Sequence, residues 1–531
     1  MSHLQKLKPL LFPVEEQSVT VQDWVLVTVL IIVAFLIRFP FFFPAVIDWD
    51  ESTFILMGQS ILDGHLPYTT LWDIKPPLAF FAYASFILVF GKTIAAVRLA
   101  GWLCTSLIAI MVYGIGKTFA SRTSCFFGAI LSLFGISFVA GGSATLTEHI
   151  ALVPLMAAFS ILAIRPNFNY WHIFLVGLLM NTASLVRLNL AYPTLFLGIY
   201  LTLRYFPNWK KMISSSCAYT GGSFLVFFIS YFPYLVTGYS QIWWQSVIVA
   251  PLNYASDQYS ILSSLGKLVN GIVESSDIRF TFPVILCLWL GGFWGFIQAF
   301  RIVKTDRLKK PTLKLLLILG LGTGFSVLAS GGAFKHYLIQ IVPFFGLGFI
   351  LFSSLFLENR MKTISSQRLQ VSVLTVSSLL VLLSLQPILT EYGVIAERYV
   401  AGQPLRHGSP YAIADYLKSQ NVENQPVYLL NQHLVYWLID AQPLTKATTH
   451  PSNISKQYLL DAINEGVSSP EQEMQNIFAQ VPEFIVKHQE VDYLSRPESA
   501  AARQILETQL SRNYHKIQDM SGILIYRRID S

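Results

Sequence analysis

The chain has 531 residues, 53% of them apolar and 13% charged, with a mean hydropathy of +0.52. Soluble domains carry about 25% charged residues, so this composition excludes an ordinary water-soluble protein and places most of the chain in lipid. The net charge of +7 and the pI near 9.0 suit nucleic acid on their face, but the charges are distributed as a topology signal and exclude that partner.

Residues 1–21 form a polar tail, and no small-residue cleavage site follows the apolar run behind it. This predicts an uncleaved signal anchor with a cytoplasmic N-terminus. Crossing about 30 Å of hydrocarbon takes roughly 20 helical residues. Runs of this order lie at 22–43, 95–116, 123–141, 149–164, 171–186, 188–205, 217–238, 280–300, 314–331, 336–357 and 369–388, about eleven spans. A further apolar run, 78–91, rises only about 21 Å. If it does not cross, every Lys/Arg-rich loop falls on one side, and those loops hold 17 basic and 5 acidic residues. The positive-inside rule therefore makes 78–91 a juxtamembrane or re-entrant helix on the outer face. The expected architecture is a cytosolic tail (1–21), an all-α polytopic membrane domain (22–388) with an outer loop at 44–94, and a C-terminal extracytoplasmic α/β domain (389–531).

The outer loop reads Asp48-Trp49-Asp50-Glu51, a helical stretch 52–62, Asp63-Gly64-His65-Leu66-Pro67-Tyr68, and Asp73-Ile74-Lys75-Pro76-Pro77. Charges at mid-bilayer cost roughly 2.5–3.5 kcal/mol each, so this loop faces water or a wet cavity at the membrane surface. Gly64 and Pro67 break its helix, and Pro76-Pro77 fixes the start of the next. Plainer roles stand beside any chemistry. Asp50-Glu51 can favour the helix N-terminus, Asp48 can be a solvated neighbour, and Lys75 can be a snorkelling anchor.

Further along, Glu148-His149 opens a span after a Gly141-Gly142 turn, where a capping role also fits. Arg187 stands between two closely spaced spans, where a charge is costly unless paired or working. A second long loop, 239–279, holds Trp243, Trp244, Tyr254 and Tyr259, as an interfacial aromatic belt or a sugar- or prenyl-binding face would. Lys335-His336-Tyr337 opens a late span. The four cysteines (Cys104, Cys125, Cys217, Cys287) all lie in spans, with no CxxC pair.

In the tail, Ser409-Pro410 and Ser469-Pro470 read as N-caps with proline at the first helical position. They predict helices over 412–420 and to about Ala479. Runs at 426–431, 483–487 and 522–527 read as strands. The tail lacks cysteines, which favours a bacterial plasma membrane. Asn453-Ile454-Ser455 is a sequon in form, a triplet too common to reverse that.

A sugar on a polyprenyl phosphate is already activated. Its transfer needs a carboxylate to take the acceptor's proton and cations to stabilise the leaving phosphate. Asp50 or Asp48 can be the acid, and Lys75 and Arg187 the cations.

Asp50-Glu51, Gly64-x-x-Pro67-Tyr68 and Lys75-Pro76-Pro77 together resemble the first-loop signature of the GT-C superfamily, in its protein O-mannosyltransferase and lipid A aminoarabinose transferase branch. Phe90-Gly91, Ala96-Val97-Arg98-Leu99, Thr147-Glu148, Arg187 and His336-Tyr337 with Pro343 also fit that branch. The similarity covers about residues 45–345 and weakens after 190. It implies an inverting glycosyltransferase that moves a sugar from a polyprenyl- or dolichyl-phosphate donor to an acceptor hydroxyl of a glycan, lipid or protein. It implies Asp50 as base with Glu51 supporting it, and Lys75 and Arg187 as contacts to the donor phosphate. Asp48, Asp73, Glu148, His336 and Tyr337 are further site candidates. Relatives commonly have Asp where Glu148 stands. A divalent metal stays open, because the acids and His336 would suit one but no spacing demands it. A transporter would show mid-span ionisable residues and two matching halves, and neither is visible. A non-catalytic polysaccharide-assembly partner would keep the topology without needing Asp50 or Lys75.

Overall fold

The structure is a computed structural model that describes residues 19–165, 168–256, 264–267, 278–305, 311–330, 334–357, 384–464 and 468–529. Most of the expected cytosolic tail, most of the 369–388 span, and Tyr259 lie outside the described residues.

Among the described residues, six helices are long and apolar enough to cross a membrane: Val21–Phe42, Ile94–Gly116, Thr147–Ile164, Trp209–Thr237, Val284–Lys304 and Pro311–Ala329. Five shorter apolar helices accompany them: Pro77–Phe90, Arg122–Phe138, Tyr170–Val186, Leu188–Leu203 and Val342–Phe356. Four expected spans thus coincide with shorter helices. The one expected from residue 336 starts as a 3-10 turn, Lys335–Gln340, and becomes α-helical only at Val342. The protein is a largely helical polytopic membrane protein with a mixed α/β C-terminal region.

The chain divides into two compact units. One comprises Met1–Phe41, Ala100–Phe228 and Tyr259–Ala401. In it, Thr20 and Asp23 form a capping box at the start of the first helix. The Asp23 carboxylate accepts from Tyr113 Oη at 2.6 Å and pairs with Lys117 at 2.8 Å and Arg122 at 3.2 Å. The basic Lys117–Arg122 turn is thereby tied to the start of the first helix. Arg38, fully buried, donates to the carbonyls of Gly142 (2.7 Å), Ser143 (3.1 Å) and Ala144 (2.8 Å). His149 holds the same loop by accepting from Leu146 N at 3.1 Å while its Nε2 lies 3.1 Å from the Gly142 carbonyl. These bonds fix the backbone that leads into Thr147-Glu148.

The other unit comprises Phe42–Leu99, Ile229–Gln258 and Gly402–Ser531. Its helices Trp49–Leu62 and Pro77–Phe90 pack at backbone distance through Gly58, where an added Cβ would lie 2.8 Å from Tyr83 Cβ and 2.9 Å from Ala84 N. Trp243 is buried against Tyr231, whereas Trp244 is half exposed.

A four-stranded sheet forms in the C-terminal region: β1 (Val427–Leu429), β2 (Phe484–His488), β3 (Tyr514–Met520) and β4 (Ile523–Arg528), in the order β1-β2-β4-β3. β1 and β2 run parallel, and the other neighbours are antiparallel. Tyr428, Ile485, Met474, Ile477 and Leu506 pack in its core. Three strands and the Ser469 cap, which accepts from Gln472 N at 3.1 Å, match expectation. The Ser409 cap does not. The helix is Ser409–Ser419 and its N-cap is Gly408, at φ +115, a backbone conformation that serine avoids. Asn453 of the sequon is buried.

Candidate functional site

Two groups of polar side chains stand out, one in each unit.

The first is built on the acidic loop. Asp48, expected as a solvated neighbour, caps the Trp49–Leu62 helix, its carboxylate accepting from Asp50 N at 2.9 Å. Capping therefore falls to Asp48, which leaves the Asp50 side chain for other work. Glu51, one residue on, turns to a different face of the helix. Its carboxylate is buried and pairs with Arg98 at 2.7 Å, and Arg98 also donates to the Pro44 carbonyl at 2.6 Å and the Ala45 carbonyl at 3.3 Å. This buried pair anchors the helix that presents Asp50.

The Gly64-to-Pro77 signature has a physical account. Gly64 (φ +93) ends the helix in a left-handed turn. Tyr68, itself at φ +71, buries its ring and donates its hydroxyl to the Lys75 carbonyl at 2.6 Å. Asp73 accepts from Lys75 N at 3.0 Å, and Pro76-Pro77 starts the next helix. Each bond fixes the backbone around Lys75. Its ammonium reaches back to Asp50, Nζ to Oδ2 at 3.4 Å, and lies 5.4 Å from the centre of the Phe54 ring. The Asp50 side chain keeps 26% of its surface exposed and Lys75 16%, so both remain within reach of a ligand.

Sequence reasoning missed three neighbours of Asp50, all from the C-terminal region. His450 Nε2 stands 3.6 Å from Asp50 Oδ1. His433 is buried, with Nε2 3.0 Å from Thr53 Oγ1 and 3.1 Å from the Trp49 carbonyl. Burial first, and His450 beside it second, push the His433 ring down to about 3, so it is neutral. Lys456 is pulled below the usual lysine range by burial, against the opposing pull of Asp50. The local signal was slight: the His450-Pro451 pair before a short 3-10 turn, Pro451–Ser455.

The second group lies in the other unit, where Arg187 ends the Tyr170–Val186 helix. Its guanidinium pairs with Glu148 at 2.9 Å, donates to Thr147 Oγ1 at 2.9 Å, and lies 4.1 Å from the centre of the Tyr337 ring. His336 Nε2 approaches Glu148 Oε1 at 3.6 Å. The 3-10 turn at Lys335–Gln340 is what presents His336 and Tyr337. Arg187 Nε is buried without a hydrogen-bond partner, so the guanidinium keeps unspent hydrogen-bonding capacity beside Glu148. The structure thus joins Asp50, Asp48, Glu51, Asp73 and Lys75 in one group, and Glu148, Arg187, His336 and Tyr337 in the other. Among the described residues, no three His, Cys, Asp or Glu side chains are grouped to hold a metal ion.

A family model described as dolichyl-phosphate-mannose-protein mannosyltransferase matches residues 74–236, beginning just after Asp73. No curated protein matches the sequence. Among solved structures, ArnT from Cupriavidus metallidurans bound to undecaprenyl phosphate is similar at a TM-score of 0.59 and 12% identity, over 96% of this chain and 98% of that one. The oligosaccharyltransferase of Archaeoglobus fulgidus in its apo form is similar at a TM-score of 0.53 and 12% identity, over 97% of this chain and 75% of that one. The chain has the GT-C-type fold of these membrane glycosyltransferases.

Proposed function

We propose that the protein is an inverting glycosyltransferase that moves a sugar from a polyprenyl-phosphate donor to an acceptor hydroxyl at the outer face of a membrane, the bacterial plasma membrane being favoured. The observation that carries this reading is the Asp50–Lys75 contact at 3.4 Å. It places a partly exposed carboxylate beside an ammonium whose backbone is fixed by Tyr68 and Asp73. The undecaprenyl phosphate bound to the similar ArnT structure supports a lipid-phosphate donor here. The single-sided distribution of Lys and Arg supports about eleven spans with the N-terminus inside.

In the step itself, the acceptor oxygen attacks the anomeric carbon from the face opposite the phosphate. The new C–O bond forms as the bond to the phosphate oxygen breaks. The polyprenyl phosphate leaves with the electron pair, and Asp50 takes the acceptor's proton. Lys75 lies next to the carboxylate, where its charge would offset that growing on the phosphate. Glu51 supports Asp50 indirectly, by pinning the helix through Arg98. Arg187 is proposed as a further donor contact, because its Nε is buried with no partner and its planar fork suits phosphate. The acceptor class, whether glycan, lipid or protein, does not enter this chemistry. Asp50→Asn tests the reading: folded protein should lose transfer from an undecaprenyl-phosphate-linked sugar, and transfer at the wild-type rate would overturn it.

A further inference from the structure

We infer that His450 is a positioning residue for the Asp50 carboxylate, locked by Ser452 and Lys456 in the tautomer that can donate to it. This rests on the reading of Asp50 as the base.

Ser452 N–H donates to His450 Nδ1 at 3.2 Å. A ring nitrogen that accepts carries no proton, so the neutral ring carries its proton on Nε2. Lys456 Nζ can only donate, and it donates to Ser452 Oγ at 3.0 Å. That leaves the Ser452 hydroxyl proton free to go to His450 Nδ1, also 3.0 Å away. The donors therefore point one way, from Lys456 through Ser452 and the imidazole toward Asp50 Oδ1.

The last gap, 3.6 Å, is longer than a hydrogen bond. Catalytic contacts are often long before substrate binds and tighten when it does. On the other side, Lys75 faces Asp50 Oδ2 at 3.4 Å. Each carboxylate oxygen thus faces its own N–H group, and closing these gaps would fix the plane of the group that must meet the acceptor proton. Holding reacting groups in line is worth orders of magnitude in rate.

The support behind His450 is rigid. It caps the Pro451–Ser455 turn with proline at the first position. The neutral His433 ring lies 5.8 Å away and braces the start of the Asp50 helix through the Trp49 carbonyl. The charged and titratable groups that face Asp50 include Lys75, His450, Lys456, His433 and Asp48, with Asp73 beside Lys456. None of the C-terminal members lies within 300 positions of Asp50 in sequence, so the C-terminal region supplies one side of this site.

The test is chemical labelling of the purified full-length protein. A water-soluble carbodiimide with glycine ethyl ester modifies protonated carboxyls, and peptide mass spectrometry reads each site. His450→Met keeps the bulk and loses the donor, whereas His450→Gln keeps an N–H at similar reach. A donor beside a carboxylate favours its ionised form. At a fixed mildly acidic pH, H450M should therefore raise labelling of Asp50 about threefold, a fraction of a full charge-assisted hydrogen bond at this exposure. H450Q should stay near wild type, Ser452→Ala should fall between, and the exposed Asp440 should label equally throughout. Equal Asp50 labelling in wild type and H450M, or equal labelling in H450M and H450Q, would overturn the inference. If H450M does not fold, Ser452→Ala decides it on the same readout. Labelling needs no sugar donor, so a failure here is distinct from a failure of the base assignment, which Asp50→Asn tests in transfer.

Discussion

Glu51 and Arg98 meet at 2.7 Å with side chains only 2% and 0% exposed. Glu51 is on the same helical turn as Asp50, and Arg98 also holds the carbonyls of Pro44 and Ala45. The pair therefore ties three stretches of chain around the acidic loop. Removing one partner of a buried pair leaves the other charge uncompensated, at about 3–5 kcal/mol. Glu51→Gln should lower the thermal midpoint of the purified protein clearly, as followed by circular dichroism. Arg98→Lys should not preserve it, because lysine lacks the fork that serves several acceptors at once. An unchanged midpoint in both would refute the anchoring role.

Lys75 should act on the donor rather than on folding. Its ammonium is partly exposed and its backbone is held by other residues. Lys75→Met is expected to weaken binding of undecaprenyl phosphate about tenfold, the worth of one charge-assisted hydrogen bond. Lys75→Arg should retain most of the affinity. Ligand-induced thermal stabilisation is the measurement. Equal stabilisation of Lys75→Met and wild type would remove Lys75 from the phosphate.

Arg187 and Glu148 should respond unequally. Glu148→Gln leaves a buried guanidinium with its carboxylate gone, so stability should fall by roughly 3 kcal/mol. Arg187→Lys keeps the charge but loses the planar contact with Tyr337 and the bond geometry to Thr147. It should fold with a smaller loss and bind undecaprenyl phosphate more weakly. Wild-type binding by Arg187→Lys would speak against a donor contact there.

The buried His433 predicts a direction in pH. Its ring is held at about 3, below the ordinary value of 6.5. Between those two values the unfolded chain binds the proton and the folded chain does not, so unfolding free energy rises with pH in that window. The stability associated with the neutral ring is full above about pH 6.5 and is lost as pH falls toward 3. His433→Gln should lower stability at neutral pH, yet show a shallower decline across that window. A decline as steep as in wild type would place the acid sensitivity elsewhere.

The acidic loop was legible in sequence because its architecture is written in residues that act on their own backbone. Gly64, Pro67 and Pro76-Pro77 break and start helices wherever they stand. Five acids in so apolar a chain must also be solvated or paired, and Glu51 is paired. The partners of that loop were not legible. Arg98 was one residue of a resemblance, with nothing local to join it to Glu51. His433, His450 and Lys456 follow Asp50 by several hundred residues, and only the folded chain brings them near. β3 was missed because Tyr514–Met520 is polar and largely solvent-facing, as an edge strand can be. The cap at Ser409 was misplaced by one residue because Gly408 accepts a backbone angle that serine avoids.

Asp50 is the proposed base for the proton of the attacking hydroxyl. Asp50→Asn keeps the shape of the side chain and removes its basicity. Transfer of sugar from an undecaprenyl-phosphate-linked donor, measured on folded protein that still binds undecaprenyl phosphate, should fall by about a hundredfold or more. Transfer by Asp50→Asn at the wild-type rate would contradict that role.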